Sequence, residues 1–281
     1  MRDFSNFPET TLDLVGLRPN PIQDIIDEET AHFDSRPSVT EVNRIPDTFK
    51  IPLDKPLHWL KVRDAISCFV DMVGSTKLSA SLHQSGTARA YRYFTNTAIR
   101  IYHVFGAAYI DVRGDGVFAL FDSDQPHRAL AATVSVKTFV AQEFTPKLEK
   151  LTRLKIGGHF GIDKETVLVR KLGLRAVNRT DRQNEVWAGK PINMSAKLAS
   201  RSSGGALWVS DRFYQSLKGE RALKSCGCIF GRYTGEIGTL WTPIDVSDDE
   251  RFDFAQAWVL RSDWCPTHGK EFCRDIIRYD A

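Results

Sequence analysis

Two aspartates each end a short apolar run, Asp71 in "FVDMVGST" and Asp115 in "YIDVRGDGVFALF". Carboxylate oxygens suit a hard divalent ion such as magnesium or manganese, and two carboxylates on neighbouring strands can hold one or two such ions beside a polyphosphate. Strand side chains alternate, so Asp111, Arg113 and Asp115 share one face of the second run, a charge density suited to a site more than to a core. After Asp71, the backbone amides of Gly74, Ser75 and Thr76 stand at the start of a helix, where orphan N–H groups favour phosphate oxygens. Each piece alone is commonplace: an Asp near a helix start stabilises the dipole, and Gly-Asp-Gly is a frequent turn.

The elements needed to place these residues can be read from periodicity. The apolar run 65–70 suits a buried strand, and a helix is predicted from 75 to about 105, interrupted near Gly86. A hairpin follows around Asp111 and Asp115. Next comes a second helix in "DSDQPHRALAATVSVKTFVAQEF", with acidic N-cap candidates at its start. "RLKIGGHFGID" and "ETVLVRKLG" read as a strand pair, "NEVWAGKPINMSAKLASRSS" as a loop feeding a helix near Pro191, and "ALWVS" as the last core strand. The order βαββαββαβ predicts an α+β, ferredoxin-like domain, a mainly antiparallel sheet with helices on one face. Residues 1–60, rich in Pro, Asp and Asn, predict an extended arm; 61–220 form the main domain, and 221–281 a tail containing cysteines.

The composition excludes several classes. The chain has 281 residues, 42% of them hydrophobic, with a formal net charge of +3, so it carries no strongly basic field for nucleic acid or an anionic membrane. It has no long apolar run for a membrane span, and "MRDFSNFPET" lacks the pattern of a secretion signal, so a cytoplasmic location is expected. Five cysteines without such a signal argue against a disulfide framework.

From 64 to 217, "CFVDMVGSTKL", "YIDVRGDGVFALF", "LKIGGHFGID" and "EVWAGKPINMSAKLASRSSGGALWVS" together resemble, in order, the motifs of the class III nucleotide cyclases, the adenylate and guanylate cyclase family. The resemblance implies attack of a ribose 3′-hydroxyl on the α-phosphorus of its own nucleoside triphosphate, with loss of pyrophosphate. It places two magnesium or manganese ions on Asp71, with Met72 beside it, and Asp115. The phosphates would lie at Gly74, Ser75 and Thr76. Asn193 corresponds to the ribose-orienting Asn, and Lys197 to an Arg that stabilises the α-phosphate. Lys keeps the charge but loses the bidentate fork. Their spacing of four puts both on one helix face. In the family these residues meet across two polypeptide halves, which implies a homodimer with shared sites. His159 falls within the match, but a histidine on an apolar strand is commonly a packing residue, and no role is assigned to it.

At the base-reading positions of the family this chain has Asp111 and Glu185, neither matching an adenine-reading pair. Carboxylates accept from uracil N3–H or from the cytosine amino group. Arg113 either donates to the base or pairs locally with a carboxylate. The pattern resembles the bacterial pyrimidine cyclases of anti-phage systems, which make cyclic UMP or cyclic CMP for an effector. UTP is the preferred substrate, CTP the next, and guanine also suits carboxylates. A degenerate nucleotide-binding module and a polymerase-like synthase are the other classes. The first is disfavoured by the presence of both aspartates, the second by Asn193 and Lys197. In the tail, Cys226, Cys228, Cys265, His268 and Cys273 offer ligands for a structural zinc ion, or are simply buried thiols. Trp258 and Trp264 are expected to pack the tail onto the domain.

Overall fold

The two-residue alternation of "AISCFVDM" decides the central strand. In the computed structural model, which describes residues 21–51, 53, 55, 57–173, 183–229 and 231–280, β2 runs His58–Val73. Ile66, Cys68, Val70 and Met72 are buried in the main core, while Ala65, Ser67, Phe69 and Asp71 alternate to the opposite face. Asp64, at φ 50, lies in a β-bulge where the register shifts between Val62 and Ala65. The extra residue inverts the alternation, so Leu60 and Val62 join Ala65 in a second, smaller core.

Antiparallel to β2 lie β4 (Gly116–Phe121) and β5 (Gly157–Gly173), and β3 (Tyr109–Arg113) pairs with β4. Beyond β5 come β7 (Leu207–Ser210), β11 (Gln256–Leu260) and β10 (Trp241–Asp245). β1 (Ser38–Val42) lies along the start of β2, and β6 (Gln183–Gly189) along the end of β5. Among the described residues this sheet has nine strands, of which only the pairs β1/β2 and β5/β7 run parallel. This is the mixed, mostly antiparallel α+β arrangement that the element order predicts.

One face is covered by α3 (Gln84–Val104), α4 (Pro126–Phe139) and, after a π turn at Val140–Phe144, α5 (Thr145–Thr152). Phe94 on α3 and Phe144 pack at 5.3 Å between ring centroids, and each fully buried aromatic of this kind contributes about 1.5–3 kcal/mol. Helices are not confined to one face, contrary to the expectation from element order: on the other face lies α6 (Lys190–Arg201), seated directly on β5. A Cβ at Gly161 would come within 2.0 Å of the Ser195 carbonyl oxygen and 2.6 Å of the Ala199 nitrogen, so only glycine permits this approach. Ser67 and Ser195 hydroxyls join strand to helix at 2.9 Å.

Several expectations need correction. The arm is not simply extended: α1 (Pro21–Asp34) and β1 are regular, and Val42, Ile45 and Ile51 pack into the second core. The first twenty residues lie outside those described. The long helix after Asp71 breaks at Leu82–His83, into α2 (Ser75–Ser81) and α3, rather than at Gly86. The expected strand pair is one seventeen-residue strand, β5, and the expected loop "NEVWAG" belongs to a strand, β6. The tail is part of the sheet, since it supplies β10 and β11. Its end, after α7 (Asp211–Tyr214) and α8 (Glu220–Leu223), is α9 (Gly269–Ile277). No helix among the described residues is long and apolar enough to cross a membrane.

Candidate active site

Register brings the two aspartates together. Val70 pairs with Val117, so Asp71 falls beside Gly116 at the mouth of the β3–β4 hairpin. A Cβ built on Gly116 would lie 3.4 Å from Asp71 Oδ1. The hairpin turns on two residues, Gly114 and Asp115, and Gly114 takes φ 65, a conformation glycine enters freely. Burial, and then the carboxylate of Asp115, push the Asp71 carboxyl up to about 6. Among the described residues no Lys or Arg forms an ion pair with either aspartate. Two mutually repelling carboxylates without a cationic side chain are what a bound divalent ion would relieve.

The main chain turns sharply after Asp71. Gly74, at φ 83, precedes α2, whose first turn has no side-chain cap. Ser75 is half-buried and Thr76 exposed at this end. Met72 sends its side chain into the main core, which leaves its carbonyl as the group it can offer. His159 stands opposite Asp71 in the β2–β5 register, and burial lowers its pKa, favouring the neutral ring.

A second group assembles around Tyr109. Tyr109, Asp111 and Arg113 lie on the same face of β3 as Phe118 on β4. Trp187 of β6 packs on the Tyr109 ring at 4.8 Å, bringing Glu185 of the same strand into range. Burial, and then the Asp111 carboxylate, push the Tyr109 hydroxyl up to about 12, and Glu185 adds to the effect. Asp111 and Glu185 therefore both lie close enough to the Tyr109 hydroxyl, within a single chain, to raise it electrostatically. The buried Trp187 indole N–H lies toward that hydroxyl without reaching hydrogen-bond geometry, and has no partner among the described residues.

Of the two uses open to Arg113, the structure displays the local one. Arg113 Nε donates to Asp111 Oδ2 at 2.9 Å, and the Val112 N–H donates to Asp111 Oδ1 at 2.8 Å. Asp111 is thereby held in a fixed orientation.

Asn193 and Lys197 occupy α6, as their spacing predicts, with Asn193 exposed. Lys197 Nζ donates to the Arg251 carbonyl at 2.9 Å. The same loop pairs Asp253 with Lys190 at 2.8 Å and Asp249 with Arg201 at 3.4 Å. Neither Asn193 nor Lys197 makes a hydrogen bond or ion pair with Asp71 or Asp115. In the tail, Cys226, Cys228, Cys265 and His268 come together, but Cys273 does not, which corrects the five-residue ligand set. Trp258 stacks on Tyr214 at 3.8 Å and the Trp264 indole donates to Ser135, so both tryptophans pack as expected.

Sequence reasoning missed Tyr109 and Trp187. Tyr109 was within reach of it, because strand alternation puts residue 109 on the face of 111 and 113. Trp187 was hidden by the reading of its segment as a loop.

No protein-family model matches the chain. It is 34% identical over 232 residues to a uridylate cyclase of Propioniciclava tarda, a match covering 81% of this chain and 73% of that one. To a uridylate cyclase of Micromonospora echinofusca it is 29% identical over 288 residues, covering 95% and 85%. Among solved structures, the guanylate cyclase domain from Catenaria anguillulae in complex with GTP superposes with a TM-score of 0.56 at 16% identity, covering 72% of this chain and 98% of that domain. The adenylyl cyclase from P. aeruginosa gives 0.53 at 16% identity, covering 73% and 96%. At such identities these two speak for the fold alone.

Proposed function

The chain belongs to the uridylate cyclase family, with the fold of the class III nucleotide cyclases, and from this premise we propose that it converts UTP to cyclic UMP and pyrophosphate. The observation that supports the choice of base is geometric: Tyr109 and Asp111 share one face of β3, and Trp187, on the strand that carries Glu185, packs on the Tyr109 ring. Uracil presents an N3–H donor between two carbonyl acceptors. A carboxylate accepts from N3–H, and a tyrosine hydroxyl kept protonated up to about 12 donates to a carbonyl. Arg113, engaged with Asp111, positions that carboxylate. Discrimination of this kind is strong because a wrong base leaves polar groups unpaired.

Asp71 and Asp115, with the Met72 carbonyl, are suited to hold magnesium or manganese, because their carboxylates repel one another and have no cationic partner among the described side chains. Ions held there would acidify the ribose 3′-hydroxyl and neutralise charge on the triphosphate. The N–H groups at Gly74, Ser75 and Thr76 would meet phosphate oxygens. Asn193 would orient the ribose, and Lys197, released from the Arg251 carbonyl, would face the α-phosphate. The 3′-oxygen then bonds to the α-phosphorus as the bond to the β-phosphate bridge breaks, and the hydroxyl proton passes to solvent. In this reading the chain acts as a homodimer in which each site joins Asp71 and Asp115 of one copy to Asn193 and Lys197 on α6 of the other, as the sequence resemblance implies. The product would act through a cyclic-nucleotide effector, in the anti-phage setting that the sequence resemblance implies.

The test is incubation of the purified protein with ATP, GTP, CTP and UTP separately, in magnesium and in manganese, with products identified by mass. Cyclic UMP is the expected main product, and Asp111→Ala is expected to erode the preference for UTP more than metal binding. A cyclic purine as the main product would overturn the assignment of the base pocket.

A further inference from the structure

Away from the nucleotide-facing surface, two short segments of the tail bring four soft ligands to one point. Cys226 and Cys228 flank Gly227 at the start of a small hairpin, β8 (Cys228–Ile229) and β9 (Arg232–Tyr233). Cys265 and His268 lie in the turn leading into α9, and His268 is its N-cap residue. One ligand atom from each of the four lies within 4.8 Å of all the others. Cys228 Sγ is 3.3 Å from His268 Nδ1, and Cys265 Sγ is 3.9 Å from the same nitrogen. A tetrahedral zinc ion with Zn–S of about 2.3 Å and Zn–N of about 2.0 Å requires sulfur-to-nitrogen separations of about 3.5 Å and sulfur-to-sulfur separations of about 3.8 Å. The observed spacings bracket the first value.

We infer that Cys226, Cys228, Cys265 and His268 bind one structural zinc ion, which knots the hairpin to the start of α9. All four cysteines of the tail are free thiols in the structure, so no disulfide competes for the sulfurs. Four protein ligands complete a tetrahedron and leave no open position, which makes the ion structural rather than catalytic. Cys273, half-buried on α9, stands outside the set.

The neighbourhood explains why a cross-link is useful here. A cavity of about 440 Å³ lies between the tail and α4, lined by Leu130, Val134 and Phe272 together with the three cysteines. Apolar packing in this region is therefore incomplete, and the chain beyond it must still hold Ile276 in the main core. A metal knot fixes the start of α9 where packing alone is thin.

The experiment uses the full chain. Elemental analysis of protein expressed with zinc present should find about one zinc per chain. Cys228→Ser and His268→Ala should lose it, and Cys273→Ser should keep it. To separate loss of the ion from failure to fold in the first two variants, the unmodified chain is also stripped with a chelator and titrated with cobalt(II). Growth of d–d absorption typical of tetrahedral thiolate coordination, with recovery of the Tm lost on stripping, supports the site. Substoichiometric zinc, no cobalt spectrum, or a mass two hydrogens light from a disulfide would overturn it. None of these readouts depends on nucleotide turnover, so failure here leaves the cyclase reading untouched.

Discussion

At Asp71, folding and the proposed chemistry are in conflict. Its carboxyl is raised from 3.8 to about 6 by burial and by Asp115, so the ionised form is disfavoured in the folded chain. Below the unfolded value both states are protonated and the residue costs nothing. As pH rises through about 6 the folded state must ionise against its surroundings, and stability is lost. Asp71→Asn should therefore raise the Tm of metal-free protein at pH 7–8, and the gain should fade as pH falls toward the unfolded carboxyl value. Thermal melts across pH with a chelator present test this; a gain independent of pH would refute the electrostatic account. The same variant should abolish cyclisation. Asp111 is a different case, because its two oxygens are already occupied by the Val112 N–H and Arg113, which fixes its direction without filling every lone pair.

Elements in this fold are completed by residues remote in sequence. The segment before α4 offers Asp122 and Asp124 as acidic caps, yet Gln125 is the N-cap residue and supplies no capping bond. Asp280 does the work instead: its carboxylate accepts from the backbone N–H groups of His127 and Arg128, at 3.1 and 2.6 Å, and pairs with His127 Nδ1 at 2.6 Å. His127 Nε2 meets the Lys218 backbone, 2.8 Å from its nitrogen and 3.1 Å from its carbonyl oxygen. Asp280→Ala should cost about 2 kcal/mol, the upper end for a lost cap, since a buried imidazole also loses its partner. Chemical denaturation measures it, and Asp280→Asn, which keeps an acceptor oxygen, should recover part. β5 shows the same dependence. "GIDKET" looks like a turn, but Asp163 is paired to Arg212 at 2.8 and 2.6 Å and Lys164 donates to the Ser123 carbonyl at 3.1 Å, so the strand passes through charged residues unbroken.

For the whole molecule, the proposed site is split. Asp71 and Asp115 are held at one end of the sheet, and α6 presents an exposed Asn193 and a Lys197 tethered by the 249–253 loop. A homodimer joining these halves predicts complementation. Asp71→Ala and Asn193→Ala chains, each inactive alone, should on mixing and exchange recover about a quarter of wild-type activity, since half the dimers are mixed and each has one intact site. No recovery after demonstrated subunit exchange would place the whole site within one chain.

The sequence alone determined the strand–turn–helix around Asp71, the hairpin carrying Asp111 and Asp115, the helix carrying Asn193 and Lys197, and the likeness to class III cyclases. All of these rest on short-range physics: two-residue alternation, turn chemistry and four-residue helical spacing. Only the tertiary structure decided that Trp187, on the strand of Glu185, packs on Tyr109 beside Asp111, that Asp280 caps α4, that Arg251 holds Lys197, and which tail ligands converge. Each of those depends on a partner brought near by packing of the whole sheet, and local periodicity carries no record of which distant residue will arrive.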